Sequence, residues 1–358
     1  MARNVAVKER APNRLADVAK AAGVSVATVS RAFNIPGAVR EDVRKHVIAT
    51  AERLGYTPNP AAKALRTRRS HIVGAVIPTL DYAIYAKLID AFQATMRAEG
   101  QMVFILSAGF DNRRLFEPVR QLVEKGAEAL LVVGRIEDEQ LVEHLKSLNL
   151  PVVTTFSYIE DQPFASVGFD NYAATHKAIE YLIQLGHKQI AMLSGPSQGN
   201  DRQTSRKQAF VDALKAARIP GEPVIIESPV GYSMEFGSAA TQHLLEDRPE
   251  TTAILCNSDV LAFSAIAQCR KAGYRVPEDI TIVGHDDLDF ARLLEPALTT
   301  ISVPAEEMGR KCARALLDAL NFGRKPSSDR IPTSLTLRDS AAPPRRARLL
   351  KTQKSRAS

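Results

Sequence analysis

The sequence predicts a small all-α N-terminal unit, joined through a short hinge segment to an α/β core of two similar lobes. Between Leu15 and Leu54 apolar residues recur at helical spacing in three short stretches separated by turns. From Ile72 the pattern changes to short apolar runs alternating with amphipathic helical stretches, and it starts again after Asn171. Charge divides the chain in the same way. Residues 1–70 carry 14 Lys/Arg against 5 Asp/Glu, a net of +9, and residues 341–358 carry 6 Lys/Arg and no acid. With +7 for the whole 358-residue chain, this leaves −8 for residues 71–340. Basicity suited to phosphate is confined to the two ends, and the core should avoid nucleic acid.

The first helix has Leu15, Val18, Ala19 and Ala22 on one face and stops at Gly23. Ser25 is placed to cap a second helix, Val26 to Phe33, whose Val29 and Phe33 face inward. A third stripe, Val43, Val47, Ala51 and Leu54, ends at Gly55, where a left-handed cap fits. The spacing leaves Val26, Ala27, Ser30 and Arg31 on the outer face of the second helix. A small, polar face ending in Arg suits the floor of a DNA major groove, where a guanidinium bonds guanine O6 and N7 together. The alternative is a generic three-helix cluster with a solvated Arg.

The segment after the third helix argues against that alternative. In Tyr56 to Arg66, Asn59 can cap a helix and Pro60 takes its first position. A helix of about two turns is unstable alone in water, so it forms only against a partner or DNA. Leu65 is then an exposed wedge of the kind inserted between minor-groove base steps, with Arg66, Arg68 and Arg69 on the flanking phosphates. The expected DNA-binding set is Val26, Ala27, Thr28, Ser30, Arg31, Asn59, Ala62, Leu65 and Arg66.

In the core, Ile72–Pro78, Val103–Ser107, Ala129–Gly134 and Pro151–Phe156 read as buried strands, with helices near Tyr85–Glu99, Leu115–Lys125 and Glu139–Leu148. The second lobe reads as strands near Gln189–Gly195, Val224–Glu227, Ala253–Asn257 and Ile280–His285. Its helices lie near Tyr172–Leu185, Thr204–Ala217, Phe236–Glu246 and Val260–Ala272. Leu298–Val303 reads as a further strand, Ala305–Asn321 as a helix and Ile331–Leu337 as a final strand. Pro343 and Pro344 followed by Arg345, Arg346 and Arg348 suggest a disordered basic tail without leucine heptads.

Cys256, Cys269 and Cys312 are odd in number and set among apolar residues, which excludes a disulfide framework or zinc pattern and points to reduced core thiols. Neither a signal peptide nor a membrane span can be drawn, so a cytoplasmic protein is expected. An enzyme is disfavoured: G-x-G-x-x-G, the P-loop, G-x-S-x-G and H-E-x-x-H are all missing, and Gly195–Gly199 lacks a phosphate-reaching Lys. No cofactor or metal is expected. His187 reads as a helix-end dipole partner, and for Arg202 a surface position is one reading. Strand ends facing the gap between lobes bind small ligands, and Asp81, Tyr85, Arg206, Ser258 and Asp286 lie at such ends. An Arg facing carboxylates from other loops suits a ligand with hydroxyls or a carboxylate. Asp259 is balanced between capping the Val260 helix and touching ligand, and Asp287 between ligand and its own loop.

With these residues in view, the chain resembles the lactose-repressor family of bacterial transcription regulators. Leu15-Ala16-Asp17-Val18-Ala19, Ala22-Gly23-Val24-Ser25, Thr28-Val29-Ser30-Arg31 and Leu54-Gly55-Tyr56-Thr57-Pro58-Asn59 match its headpiece signature, with Leu65 at the intercalating hinge leucine. Arg14 stands where the family has a capping Thr, leaving Asn13 to cap the first helix, and Arg40 where it has Ser. In the core, Arg206 matches an effector-binding arginine and Asp286 the aspartate of a Gly-aromatic-Asp-Asp motif, with His285 replacing the aromatic. Tyr85 sits at an effector-contacting aromatic, Tyr82-Ala83-Ile84 replaces Asn-Pro-Phe, and Ser258 replaces a common Asn.

The resemblance implies a helix-turn-helix headpiece (1–57, ordered from about 13) and a hinge helix with linker (58–70). After these it implies a periplasmic-binding-protein-like core (71–340) and the tail (341–358). Lobe one would hold 71–169 and 300–329 and lobe two 170–299 and 330–340, with three crossovers. The expected function is a homodimeric, effector-controlled regulator, most simply a repressor, bound to a pseudo-palindromic operator of double-stranded DNA. Its effector would be a sugar or sugar acid. The competing reading is a cytoplasmic sugar-binding or sugar-modifying protein, for which Arg31 and Leu65 would have no use.

Overall fold

The computed structural model describes residues 14–57 and 69–345. The expected hinge helix, with Asn59, Ala62, Leu65 and Arg66, lies outside the described residues, as do Asn13 and residues 346–358. The chain divides into two units, Met1–Ser70 and His71–Ser358.

In the first unit the apolar stripes become α1 (Leu15–Ala21), α2 (Val26–Asn34) and α3 (Glu41–Arg53), with a 3-10 turn at Pro36–Ala38 that the sequence did not suggest. Val18, Ala19, Val29, Ala32, Val47 and Ala51 form their shared core. Ser25 Oγ accepts the Thr28 N–H at 3.1 Å, as its capping position requires. Gly23 and Gly55 take the left-handed backbone at φ +65° and +63°. The start of α1 departs from expectation. Arg14 is its N-cap, and the Arg14 backbone N–H donates to the Asp17 carboxylate at 2.7 Å, so no side-chain cap from the preceding residue is needed.

The second unit holds two six-stranded sheets. The first contains β1 (Ile72–Ile77), β2 (Met102–Ser107), β3 (Ala127–Val133), β4 (Val152–Thr155), β5 (Ala165–Gly168) and β11 (Asp329–Arg330), and the second contains β6 (Ile190–Ser194), β7 (Val224–Glu227), β8 (Ala253–Cys256), β9 (Thr281–Asp286), β10 (Thr299–Ser302) and β12 (Ser334–Thr336). Their orders, β2-β1-β3-β4-β5-β11 and β7-β6-β8-β9-β10-β12, are the same, and every pairing is parallel except β10 with β12. Central strands such as β3 are buried on both faces, which is why they read as unbroken apolar runs. In each sheet the order reverses at the first strand, β1 or β6. The carboxyl ends there are where a parallel sheet opens a ligand crevice.

The first sheet carries α4 (Ala83–Ala98), α5 (Phe116–Glu124) and α6 (Glu139–Ser147), and the second carries α7 (Asn171–Gln184), α8 (Asp201–Ala216), α9 (Met234–Asp247) and α10 (Asp259–Lys271). A last helix, α11 (Ala305–Phe322), returns to pack on α4. The chain passes between the sheets after Gly168, after Ser302 and after Arg330. β10 therefore lies wholly in the second sheet, held by its parallel register with β9, whereas the expected lobe boundary cut through it at residue 300. The expected final strand Ile331–Leu337 shrinks to β12, because Ile331–Thr333 carry the chain across from β11, a strand that the sequence did not suggest. β5 was not anticipated, because four residues including Ser166 and Gly168 offer no apolar periodicity.

Two further expectations are corrected. The start of the expected tail packs on the core: Ala341 lies against its apolar residues, Ala342 exchanges hydrogen bonds with Thr281 Oγ1 at 2.9 and 3.1 Å, and the Ala342 carbonyl lies 2.9 Å from His187 Nε2. His187 is buried there, with Nδ1 2.9 Å from Thr252 Oγ1, and burial holds its pKa below the ordinary value. A neutral imidazole joining two loops replaces the charged dipole partner suggested by the sequence.

Candidate functional site

On the headpiece, packing of Val29 and Ala32 turns the rest of α2 outward. Val26 remains 47% exposed, Ala27 and Arg31 are exposed, and Thr28 and Ser30 are half-buried. The Thr28 hydroxyl lies 2.9 Å from Ser25 Oγ, so it is partly committed to the helix start. The five α2 residues singled out by sequence thus share one accessible face, in which Arg31 is the charged member.

In the core, four of the five expected ligand residues converge between the lobes and one does not. Arg206, on α8, is 5% exposed; its Nε donates to Asn171 Oδ1 at 2.8 Å and its Nη1 to the Asn257 carbonyl at 3.1 Å. Asn171 is itself oriented by donating to the Phe156 carbonyl of the first lobe at 2.8 Å. Burial lowers the Arg206 pKa, while Tyr232 and Asp286 act to raise it. Asp286 ends β9 with φ +120°, a backbone region that L-residues rarely adopt and that tends to persist at functional sites. Its Oδ1 lies 3.0 Å from His285 Nδ1. Burial pushes its carboxyl up to about 7 against the pull of Arg206 and a hydrogen bond from Ser258. Ser258 also caps α10, its Oγ accepting the Val260 N–H at 3.2 Å.

Tyr85 is buried at the start of α4, edge-on to Phe156 at 5.0 Å, and its hydroxyl pKa is raised by burial with Arg202 and Arg206 opposing. Asp81 instead is exposed. Its backbone N–H donates to Thr79 Oγ1 at 3.1 Å in a local turn that holds the residue on the loop, outside the buried set. Asp259 is not a helix cap: its carboxylate accepts Thr300 Oγ1 at 2.6 Å and the Leu288 N–H at 2.7 Å, and burial with Asp286 nearby pushes it up to about 8. Asp287 pairs with Arg338 at 2.7 Å.

Sequence reasoning missed several members. Arg202 is 2% exposed, not a surface residue, because α8 begins at Asp201 with Asn200 as its cap and so places Arg202 one turn before Arg206. A helix start three residues earlier than the one expected would have shown that pairing. Tyr232 forms an aromatic group with Tyr82 and Phe110 of the first lobe, at centroid distances of 5.3 and 5.5 Å, and its backbone N–H donates to the Tyr82 hydroxyl at 2.5 Å. Gln203 donates to the Tyr232 hydroxyl and accepts from Ser194 and Asn257, both at 2.9 Å.

Asp201 joins the lobes. Its Oδ1 accepts from Asn112 Nδ2 at 2.8 Å, Arg202 Nη1 at 3.0 Å and the Arg135 N–H at 3.3 Å, and its Oδ2 accepts from Ser157 Oγ. Gly134, at φ +90°, is required here, since a Cβ would lie 1.8 Å from Arg202 Nη1.

Residues 14–59 match the family described as bacterial regulatory proteins, lacI family, and residues 179–341 match the periplasmic binding protein-like domain. The transcriptional repressor CytR of Escherichia coli strain K12 is 30% identical over 327 residues, which cover 91% of this chain and 95% of that repressor. The chain belongs to the lacI family. This lacI-family chain has the two-part architecture of its solved relatives. The lac repressor dimer bound to operator and the anti-inducer ONPF superposes with a TM-score of 0.80 at 26% identity, over 93% of this chain and 100% of that one. A complex of the regulator CelR with cellobiose gives 0.65 at 28%, over 92% and 100%. The resemblance read from the headpiece residues is borne out, and the chain is a DNA-binding transcriptional regulator. No helix among the described residues is long and apolar enough to cross a membrane.

Proposed function

We propose that this lacI-family chain is a homodimeric repressor of a pseudo-palindromic operator, controlled by a small polyhydroxylated effector held between the lobes of its core. The observation that carries the reading is Arg206, a buried guanidinium fixed by Asn171 and electrostatically coupled to Asp286 at the carboxyl end of the second sheet. Ser258 and Tyr85 complete the polar wall and aromatic wall of that site. The CelR complex, whose bound ligand is cellobiose, supports a sugar or sugar acid as the class.

Arg31 and its α2 neighbours would read base edges in the major groove, and the segment of Asn59, Ala62, Leu65 and Arg66 would enter the minor groove as paired hinge helices. Control follows from joining that marginal helix to a hinged sensor. A ligand that favours one interlobe angle changes how closely two hinge segments are held, and coupling of about 1–3 kcal/mol alters operator affinity several-fold or more. The site recognises rather than transforms its ligand, so the protein acts as a regulator and not as an enzyme, in the cytoplasm where its DNA lies. The test is a gel shift on the DNA upstream of its own gene, with and without a panel of sugars and sugar acids. Equal affinity for that DNA and for random DNA, unchanged by every ligand, is the result that rejects the reading.

A further inference from the structure

The buried charge of the cleft is unequal, and one guanidinium has an open donor. Arg202 Nη1 is held by Asp201, but Nη2 is buried without a hydrogen-bond partner, as is Nε2 of His285, whose Nδ1 lies against Asp286. The Arg202 charge acts on Tyr85, Tyr232 and Arg206, which places it in the same cleft. Asp201 already accepts four hydrogen bonds, three of them on Oδ1, and neither of its oxygens is bonded to Nη2. The carboxylate that acts on Arg206 is Asp286, whose pKa burial raises, so its negative charge is weakened near neutrality. Two guanidiniums, Arg202 and Arg206, thus share the cleft, and one of them has a buried N–H that no described group answers. Buried charges left in that state are costly until a partner arrives.

We propose that the effector carries a single carboxylate, seated on Arg202 Nη2 at the first turn of α8. The inference rests on the effector reading above and narrows it from polyhydroxylated ligands in general to sugar acids. A carboxylate is the planar acceptor that a guanidinium binds with charge-assisted hydrogen bonds, and a sugar acid supplies one. The charged and titratable groups around Asp286 are Arg202 and Arg206 on α8, Tyr85 on α4, Tyr232 before α9, Asp259 on α10 and its neighbour His285. A second anion among them favours the protonated Asp286, so binding takes up a proton and weakens as pH rises. A neutral ligand held by the ionised carboxylate has the opposite dependence.

The experiment is calorimetric titration of the full chain at pH 6 and pH 8 with D-galacturonate against D-galactose, D-glucuronate against D-glucose, D-gluconate against D-glucitol, and glucose 6-phosphate. At least one acid should bind about tenfold or more tightly than its neutral partner, as charge-assisted bonds do, and more weakly at pH 8 than at pH 6. Arg202→Gln should reduce that preference to below about threefold, with Arg202→Lys retaining part of it. If Arg202→Gln does not fold, the wild-type ratios decide alone. A neutral sugar binding as tightly as its acid, or the phosphate binding more tightly than any acid, overturns the inference and leaves the effector reading intact. Binding by none of these ligands overturns both.

Discussion

The two recognition regions of this chain are built on opposite principles. On the headpiece, Arg31 projects from an exposed face that the packing of Val29 and Ala32 leaves free. In the cleft, Arg202, Arg206 and Asp286 are buried and already engaged with Asp201, Asn171 and His285. An exposed group waits in water and contributes when it meets its target. A buried one has lost its water beforehand, so its partners have to be supplied by the fold or by the ligand. Deletions in the cleft should therefore cost more than deletions on the face, and only the cleft should respond to pH.

The largest effect is expected at Arg206. Arg206→Ala should lower effector affinity by about 2–5 kcal/mol, because Asp286 is left buried beside an emptied partner position. Operator titrations with and without effector should then coincide for the variant. Persistence of the wild-type response at wild-type effector concentrations would move the pocket elsewhere.

At the exposed face the expected loss is smaller. Arg31→Ala should weaken operator binding by about 1–3 kcal/mol and binding to random DNA far less, since base contacts specify and phosphate contacts position. Parallel titrations on the two DNAs check this, and equal losses on both would mean that Arg31 only touches phosphate.

The smallest effect concerns pH. The folded pKa of Asp286, about 7, lies above the unfolded value of an Asp, near 3.9. Its contribution to stability is thus fully present below the unfolded pKa and is lost as pH rises through the folded one. Asp286→Asn should raise the melting temperature relative to wild type at pH 8 and change it little at pH 4, with the effect shared by the coupled Asp259. An equal difference at both pH values would show that folding leaves the Asp286 carboxyl at its ordinary pKa. No such slope is expected for Arg31→Ala.

The same contrast governs what the residue order discloses. The headpiece face is local: the positions facing inward and outward along nine residues of α2 follow from helical spacing alone. Arg206, Ser258, Tyr85 and Asp286 were accessible because each follows a strand end. Arg202, Asp201, Asn171 and Tyr232 were not, since their roles come from partners such as Ser157, Asn112 and Tyr82, brought together only by the fold. Asp81 differs in the other direction. Its place after the first strand suggested a pocket shared with Tyr85, but Asp81 is exposed while Tyr85 is buried. Short elements with mixed composition, β5 above all, were lost for want of any periodic signal.

The outermost strands of the two sheets come from the same late stretch of chain, β11 at Asp329–Arg330 and β12 at Ser334–Thr336. A ribosome delivers these residues after every other strand of both sheets, so during synthesis β5 and β10 both stay as open edges, each able to pair with a strand from another copy. Completion of the sensor is then one late, joint event. A chain that stops before residue 329 loses the borders of both lobes at once, and the nascent protein remains vulnerable to self-association until that stretch emerges.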